Sequence, residues 1–368
     1  MAERRDASQV MTHTFDGSGK VSDRRWLGFE CGHVSQLKYG FTYPGGCSTA
    51  TWLIARPPEY WNNAMSMGRF VEINRGGVPV WRGMLDGSKP SSDGWQMQAH
   101  GSGTFGNDFN ASYTSWNQNQ PLDNAIGRGL MWRKSSFSSS GLWLSTPFDS
   151  ASQNISQFLN LLTQQGNMGW RVSRMDSILT LETLPSTQDC IVVATTPVGR
   201  TSHGNYDVLD VRYLATDDGK GNQTYGGTEV TLASLLAAGV PRKEAYIDLS
   251  NAGIMNATNA GINGTNLLQR YIRASFDDPF VIRNGQLLTP GGQAIDIGAA
   301  NPRVAKLLLL DLPLAGEATA APISFIVGAY DYDDDAQTAT VTPFQSVASD
   351  LSALGGNLLA AITPPSAN

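Results

Sequence analysis

The sequence predicts a mainly β protein that carries an α+β insert and few helices. Three observations predict it. Apolar and polar residues alternate in short runs bounded by Gly and Pro, as at 48–54 and 95–99. Helical spacing shows at 155–162 and again at 257–272. Strand patterns return after 190 and after 280, so a second β-rich stretch follows the insert.

The elements follow in chain order. Ser48, Ala50, Trp52 and Ile54 share one face of a strand, between Gly45-Gly46 and Pro57-Pro58. Phe70–Ile73 and Val78–Trp81 form a hairpin around Asn74-Arg75-Gly76-Gly77, whose glycines permit a tight reversal. Pro79 cannot donate to a ladder, so that arm has a free edge there. Trp95, Met97 and Ala99 face one way on the next strand, and Gln96 and Gln98 the other. Together these strands read as a small antiparallel barrel or sandwich. Ile155, Phe158, Leu159 and Leu162 then mark a helix with Gly166 as its C-cap. A hairpin follows, from Trp170–Ser173 through Met175-Asp176-Ser177 to Ile178–Leu184. Strands are expected at 191–193 and 206–214, with a mobile polar tip or loop at 217–227 and a short helix at 232–237. On the 257–272 helix, Ala257, Ala260, Gly261, Gly264, Leu267, Leu268 and Tyr271 share a face. Each glycine there costs about 1 kcal/mol relative to Ala, so that face must pack closely. Further strands are expected at 280–282, 307–310, 323–327 and 338–341, and a last helix carries Val347, Leu351 and Leu354.

The organisation expected is an N-terminal arm at 1–25 and a first β-barrel module at 26–105, completed by about 186–215. An α+β domain of helix plus hairpin is inserted at 106–185. A second β-barrel module at 216–345 holds the helix at 257–272, and a C-terminal helix and tail occupy 346–368.

Composition narrows the function. Charged residues make up 16% of the chain, below the usual quarter, and Gly, Ser, Thr, Asn and Gln fill the difference. The formal charge is −6. The basic pairs Arg4-Arg5, Arg24-Arg25 and Arg242-Lys243 are scattered and form no stripe, which argues against a general nucleic-acid binder. The first 25 residues lack an apolar signal core, and no run of about 18 apolar residues exists, so a soluble product made in a cytoplasm is expected. Cys31, Cys47 and Cys190 are too few for a disulfide framework or a zinc site. They read as buried thiols, with a Cys31–Cys47 bridge left open by the spacing.

Motifs for chemistry fail one by one. Gly101-Ser102-Gly103-Thr104-Phe105-Gly106 matches the dinucleotide glycine pattern, but Asn107-Asp108-Phe109-Asn110 opens no helix to hold a pyrophosphate. Asp331-Tyr332-Asp333-Asp334-Asp335 starts like a calcium loop, yet Ala336 and Thr342 stand where Gly and a bidentate carboxylate are needed. It reads as a hairpin turn. His13, His33, His100 and His203 are far apart in sequence, and no Gly-x-Ser-x-Gly elbow is present. No catalytic, cofactor-binding or metal-ligating residue is assigned. Of the tryptophans, Trp52, Trp81 and Trp95 read as core. Trp116, Trp132 and Trp143, in a polar glycine-rich stretch, are the candidates for exposed contacts to a partner protein or a glycan.

The order of these pieces resembles a known family. Trp52-Leu53-Ile54 leads to Gly68-Arg69-Phe70-Val71-Glu72-Ile73. Val80-Trp81-Arg82-Gly83-Met84-Leu85 comes next, and then Gly94-Trp95-Gln96-Met97-Gln98-Ala99-His100-Gly101. This series is similar to the opening barrel of the minor tail proteins and baseplate-hub proteins of long-tailed bacteriophages. Gly169–Val172 running to Leu181–Pro185 looks like the hairpin of that family's insert, Glu244–Ser250 like its second half, and Phe325–Tyr332 with Val341–Pro343 like its closing strands. The resemblance covers roughly residues 25–345. It implies a virion protein of the tail tip, made in the host bacterial cytoplasm. In that family the hub is a homotrimer whose tube-type barrels, two per subunit, present a pseudo-six-fold ring to the hexameric tube. Its partners are a distal tail protein or the tail tube above and tip fibres or other minor tail proteins below, with a tape measure protein in the lumen. No sequence-specific nucleic acid and no membrane span are implied, and no enzyme activity. With only a short stretch after 345, no appended enzymatic domain is expected. A weakly acidic lumen would let DNA slide without sticking. The competing expectations are a hexameric distal tail protein and a carbohydrate-binding module for host recognition.

Overall fold

The structure, a computed structural model, describes residues 8–16, 20–111, 120–135, 154–165, 168–194, 208–231, 244–250, 254–273, 279–309 and 323–344. The expected short helix at 232–237 and the C-terminal helix lie outside these residues. The mainly β expectation holds.

The chain begins with β1 (Ser8–Phe15), β2 (Val21–Trp26) and a single helical turn, α1 (Leu27–Glu30). Then come β3 (Val34–Thr42), β4 (Gly46–Ile54), β5 (Phe70–Arg75), β6 (Val78–Ser91) and β7 (Gly94–Gly101). The alternation read from β4 and β7 is the observed one: Ala50, Trp52, Ile54, Trp95, Met97 and Ala99 are buried, and Gln96 and Gln98 are exposed. Pro79 pairs with Asn74, and β7 joins β6 only from Gly83 onward, so among the described residues Pro79 sits on a free edge. The segment expected as an arm is instead part of the sheet, because β1 runs antiparallel to β5 over Ser8–His13. Its polar look misleads. Thr12 and His13 are buried, under Arg69 and against Phe70.

The middle of the chain holds α2 (Gln120–Gly127), β8 (Arg133–Lys134), α3 (Ile155–Gln165), β9 (Met168–Val172) and β10 (Ile178–Thr183). A reciprocal cap starts α3: Asn154 Oδ1 accepts from Gln157 N–H, and Gln157 Oε1 accepts from Asn154 N–H, each at 2.9 Å. The expected hairpin forms, with Trp170 opposite Leu181. Beyond it lie β11 (Cys190–Ala194), β12 (Val208–Asp217), β13 (Gln223–Thr231), β14 (Glu244–Asp248) and α4 (Ala257–Arg273). The polar tip at 218–222 is ordered by Asp217 and Asp218, whose carboxylates accept from Gly219, Lys220 and Asn222 N–H. On α4, Gly264 faces Val211 and Val230 so closely that a Cβ there would lie 2.6 Å from Val211 Cγ2. This is the close packing expected of that face, but only at Gly264: among the described residues nothing lies within 4 Å of a Cβ on Gly261.

The last strands are β15 (Phe280–Arg283), β16 (Leu287–Leu288), β17 (Val304–Leu309), β18 (Ile323–Asp333) and β19 (Thr338–Pro343). They correct the expected domain plan. β18 pairs with β17 through its first half and with β3 and β19 through its second. One 13-stranded sheet therefore runs β16-β11-β17-β18-β3-β4-β7-β6-β5-β1-β2, with β19 and β15 branching from β18. Among the described residues this path stays open and does not close into two barrels. The closing partner of β3 comes from 329–333 and not from 186–215, which divides between two sheets. The span 216–345 also divides. Its first part builds the sheet β13-β12-β14, and α4 packs on that sheet. That unit shares one apolar core with the insert, joining Phe105, Trp132, Phe158 and Trp170 to Leu209, Val211 and Leu268. The large sheet wraps a separate core that contains Trp52, Trp81, Tyr39, Tyr330 and Tyr332.

Candidate assembly interface

Among the described residues, β2 has a partner on one side only, so its outer N–H and C=O groups form an open edge. A bulge shapes that edge. The register with β1 shifts between Thr12 and Thr14, and Asp23 sits at φ +42°. Arg69 holds the bulge from inside: its Nη1 donates to Asp23 Oδ2 at 2.8 Å and its Nη2 to the Asp23 carbonyl at 2.5 Å. The Asp23 carboxyl is drawn below its ordinary range, first by its bond from Arg69 and then by that from Arg25. Glu72, itself buried, takes Arg82 at 2.8 Å, Arg24 at 3.4 Å and Asn74 at 3.0 Å. The pair Arg24-Arg25 is thus committed to carboxylates on the protein's own edge.

Next to this edge lies exposed apolar surface. α1 turns Leu27 into the core and Phe29 outward, where it is 90% exposed, with Trp26 41% exposed beside it. Phe29 and Trp26 together leave exposed apolar surface beside the open edge, and it is such adjoining apolar residues, not a single one, that point to a contact. Trp26, Phe29 and His33 line an open groove of about 1110 Å³, whose far wall is the β18–β19 turn with Asp334 and Asp335. Edge and groove together offer backbone pairing and apolar area on one face. Nothing in the local sequence pattern marks Phe29 as exposed. Only the turn of α1 decides which way it points.

The residues singled out in the sequence land elsewhere. Trp132 is 2% exposed, stacks at a tilt on Trp170 (centroids 5.6 Å apart) and donates Nε1–H to Ser102 O at 2.7 Å. It is a core residue and cannot serve as an outward contact. The polarity of the residues around it, not its own environment, suggested exposure. Trp116 and Trp143 lie outside the described residues. The glycine pattern after β7 forms a 3-10 helix over Ser102–Asp108, with a closely packed neighbour at each glycine. A Cβ on Gly101 would strike the Cys47 carbonyl, and one on Gly106 the Trp132 ring. In the acidic run, Asp333 accepts from the N–H of Asp335 and of Ala336, and pairs with Lys38. Asp334 pairs with Arg75. Cys31, Cys47 and Cys190 are free and buried, so no Cys31–Cys47 bridge forms, and burial raises all three thiol pKa values.

No protein-family model matches the sequence, and no curated protein matches it. Solved structures do match the fold. The 43 kDa tail protein of prophage MuSo2 from Shewanella oneidensis is 15% identical. The alignment covers 94% of this chain and 100% of that one, with a TM-score of 0.58. The tail protein from Neisseria meningitidis MC58 is 9% identical, over 93% and 98% of the two chains, with a TM-score of 0.56. Prophage tail protein gp18 from Listeria monocytogenes EGD-e is 11% identical, over 96% and 99%, also at 0.56. At such identities the likeness is one of fold, and it extends over nearly the whole length of this chain and of all three tail proteins.

Proposed function

We propose that the chain is a structural protein of a bacteriophage tail. On this reading it acts at the tail tip as a trimeric hub that closes or adapts the hexameric tail tube and anchors tip fibres. The observation that carries the reading is the end-to-end fold likeness to three tail proteins, two of them from prophages. The open β2 edge and the bare Phe29 beside it support an assembly role, since both are surfaces that a neighbouring subunit would cover. The position at the tip, the copy number and the fibres rest on the pattern of strands and insert set out from the sequence. The partners would be a distal tail protein or tube above and fibres or other minor tail proteins below, with a tape measure protein in the lumen. No catalytic role is assigned.

Gold-labelled antibody on intact particles and the mass of the purified ring test the proposal. Label at the tail tip and a ring of three copies are expected. Six copies would favour a distal tail protein, and label on the head or a strictly monomeric chain would overturn the reading.

A further inference from the structure

One arginine lacks the acid that its surroundings demand. Arg174 sits in the β9–β10 turn, where the insert meets the large sheet, and lines a cavity of about 190 Å³ with Phe41, Arg171 and Arg303. Its Nη1 donates to Ala299 O at 3.1 Å, and its guanidinium carbon lies 6.0 Å from the centre of the Phe41 ring. Among the described residues no carboxylate is within ion-pair distance of it. Burial is the first cause acting on it and lowers its pKa, because water is removed without a counter-charge. Cys47 and Tyr39 pull the other way, but burial keeps both neutral at ordinary pH.

The rest of the cavity is also short of acid. Glu182 is shared, accepting from Arg303 Nη2 and lying 3.4 Å from Arg171 Nε. The Nε atoms of Arg171 and Arg303 are buried and, among the described residues, make no hydrogen bond, the 3.4 Å approach of Arg171 Nε to Glu182 being an ion-pair contact only. Asp189, which meets this wall at Arg303, is occupied by the N–H groups of Arg303 and Val304. Among the described residues, the cavity lining holds three arginines and no carboxylate, and Glu182 is shared by two of them, in a chain whose net charge is −6. A planar guanidinium fork in a partly dry cavity pairs best with a carboxylate, in two parallel hydrogen bonds.

We propose that this cavity is a carboxylate-binding site, with Arg174 as the principal partner and Arg171 and Arg303 at its rim. The carboxylate comes from an acidic side chain of an adjoining protein or from a small free acid, and the chemistry of recognition is the same. The first source rests on the tail reading above and the second does not.

The test uses the full chain and its Arg174→Gln and Arg174→Met variants. Succinate is titrated by calorimetry and by the arginine Nε–H signals, with inorganic phosphate as the competing anion. In parallel, each variant is supplied to particles that lack the wild-type chain. Succinate binding that Arg174→Gln weakens at least about tenfold supports the site and a small-acid source. Failure of both variants to enter particles, rescued in part by Arg174→Lys, supports a protein carboxylate. Both variants also lose the Ala299 hydrogen bond, so their melting is measured beside the binding, with Arg174→Lys, which keeps a charge and a donor there, as the folded control. Absence of succinate binding with normal incorporation overturns the site, and so does tighter binding of phosphate than of succinate. If the wild-type chain itself enters no particle, the tail reading fails and the succinate titration alone decides.

Discussion

Arg75 Nη1 lies 2.8 Å from Asp334 Oδ1 and joins β5 to the β18–β19 turn, 259 residues away in sequence. The Arg75 side chain is 3% exposed, its Nε also donates to Asp296 at 2.6 Å, and its guanidinium carbon lies 5.3 Å from the centre of the Tyr332 ring. Two anions around one buried cation make the arrangement asymmetric. Arg75→Met should leave Asp334 half-buried without its cation, while Asp296 stays exposed to water, and cost about 1.5–3 kcal/mol. Asp334→Asn should cost clearly less, because Asp296 remains. Urea unfolding of the single and double variants measures the difference, and equal costs would refute the shared-cation account.

Two glycines on α4 should respond to Ala with opposite signs. At Gly264 a Cβ would lie 2.6 Å from Val211 Cγ2 and 3.0 Å from Val230 Cγ2. Overpacking of about 1–3 kcal/mol should outweigh the gain in helix propensity of about 1 kcal/mol. At Gly261 nothing among the described residues lies within 4 Å of that position, so Gly261→Ala should stabilise by up to about 1 kcal/mol. Thermal melts of both variants check the signs.

Trp132→Ala should destabilise by about 3–5 kcal/mol, through a cavity beside Trp170 and a Ser102 carbonyl left without its donor. Trp132→Phe should recover most of that and lose only the hydrogen bond. Any glycan or partner binding lost in Trp132→Ala would then track the loss of near-UV circular dichroism, and binding lost from a fully folded variant would contradict the core placement.

His13 carries a pH dependence whose sign follows from its burial. Its pKa is lowered, first by desolvation and then by Arg24, Arg82 and Arg69, with Glu72 opposing. The unfolded chain therefore binds the proton more readily than the folded one. Stability is full above the unfolded value of about 6.5 and falls as pH drops toward the lower folded value. Urea midpoints should decline between pH 7.5 and 5, and the His13→Gln variant should lose part of that decline. The carboxyl of Asp23, held low by Arg69, loses its contribution only at more acidic pH.

The sequence by itself determined the local pieces of this protein. The alternation in β4 and β7, the Asn74–Gly77 reversal, the β9–β10 hairpin and the glycine-bearing face of α4 were all legible. Each is set by neighbours within a few residues, through side-chain period, turn conformation or helix spacing. The tertiary structure decided what those pieces join. The pairing of β18 with both β17 and β3 fused two expected modules into one sheet, and no local pattern records which strand a given edge will meet. The same limit hid β1, whose Thr12 and His13 look solvent-facing until Arg69 and Phe70 cover them. It also misplaced Trp132, whose polar neighbours in sequence are not its neighbours in space. Phe29 beside the open edge and Arg174 without an acid among the described residues are likewise facts of burial and charge in three dimensions, set by contacts between residues far apart in the chain.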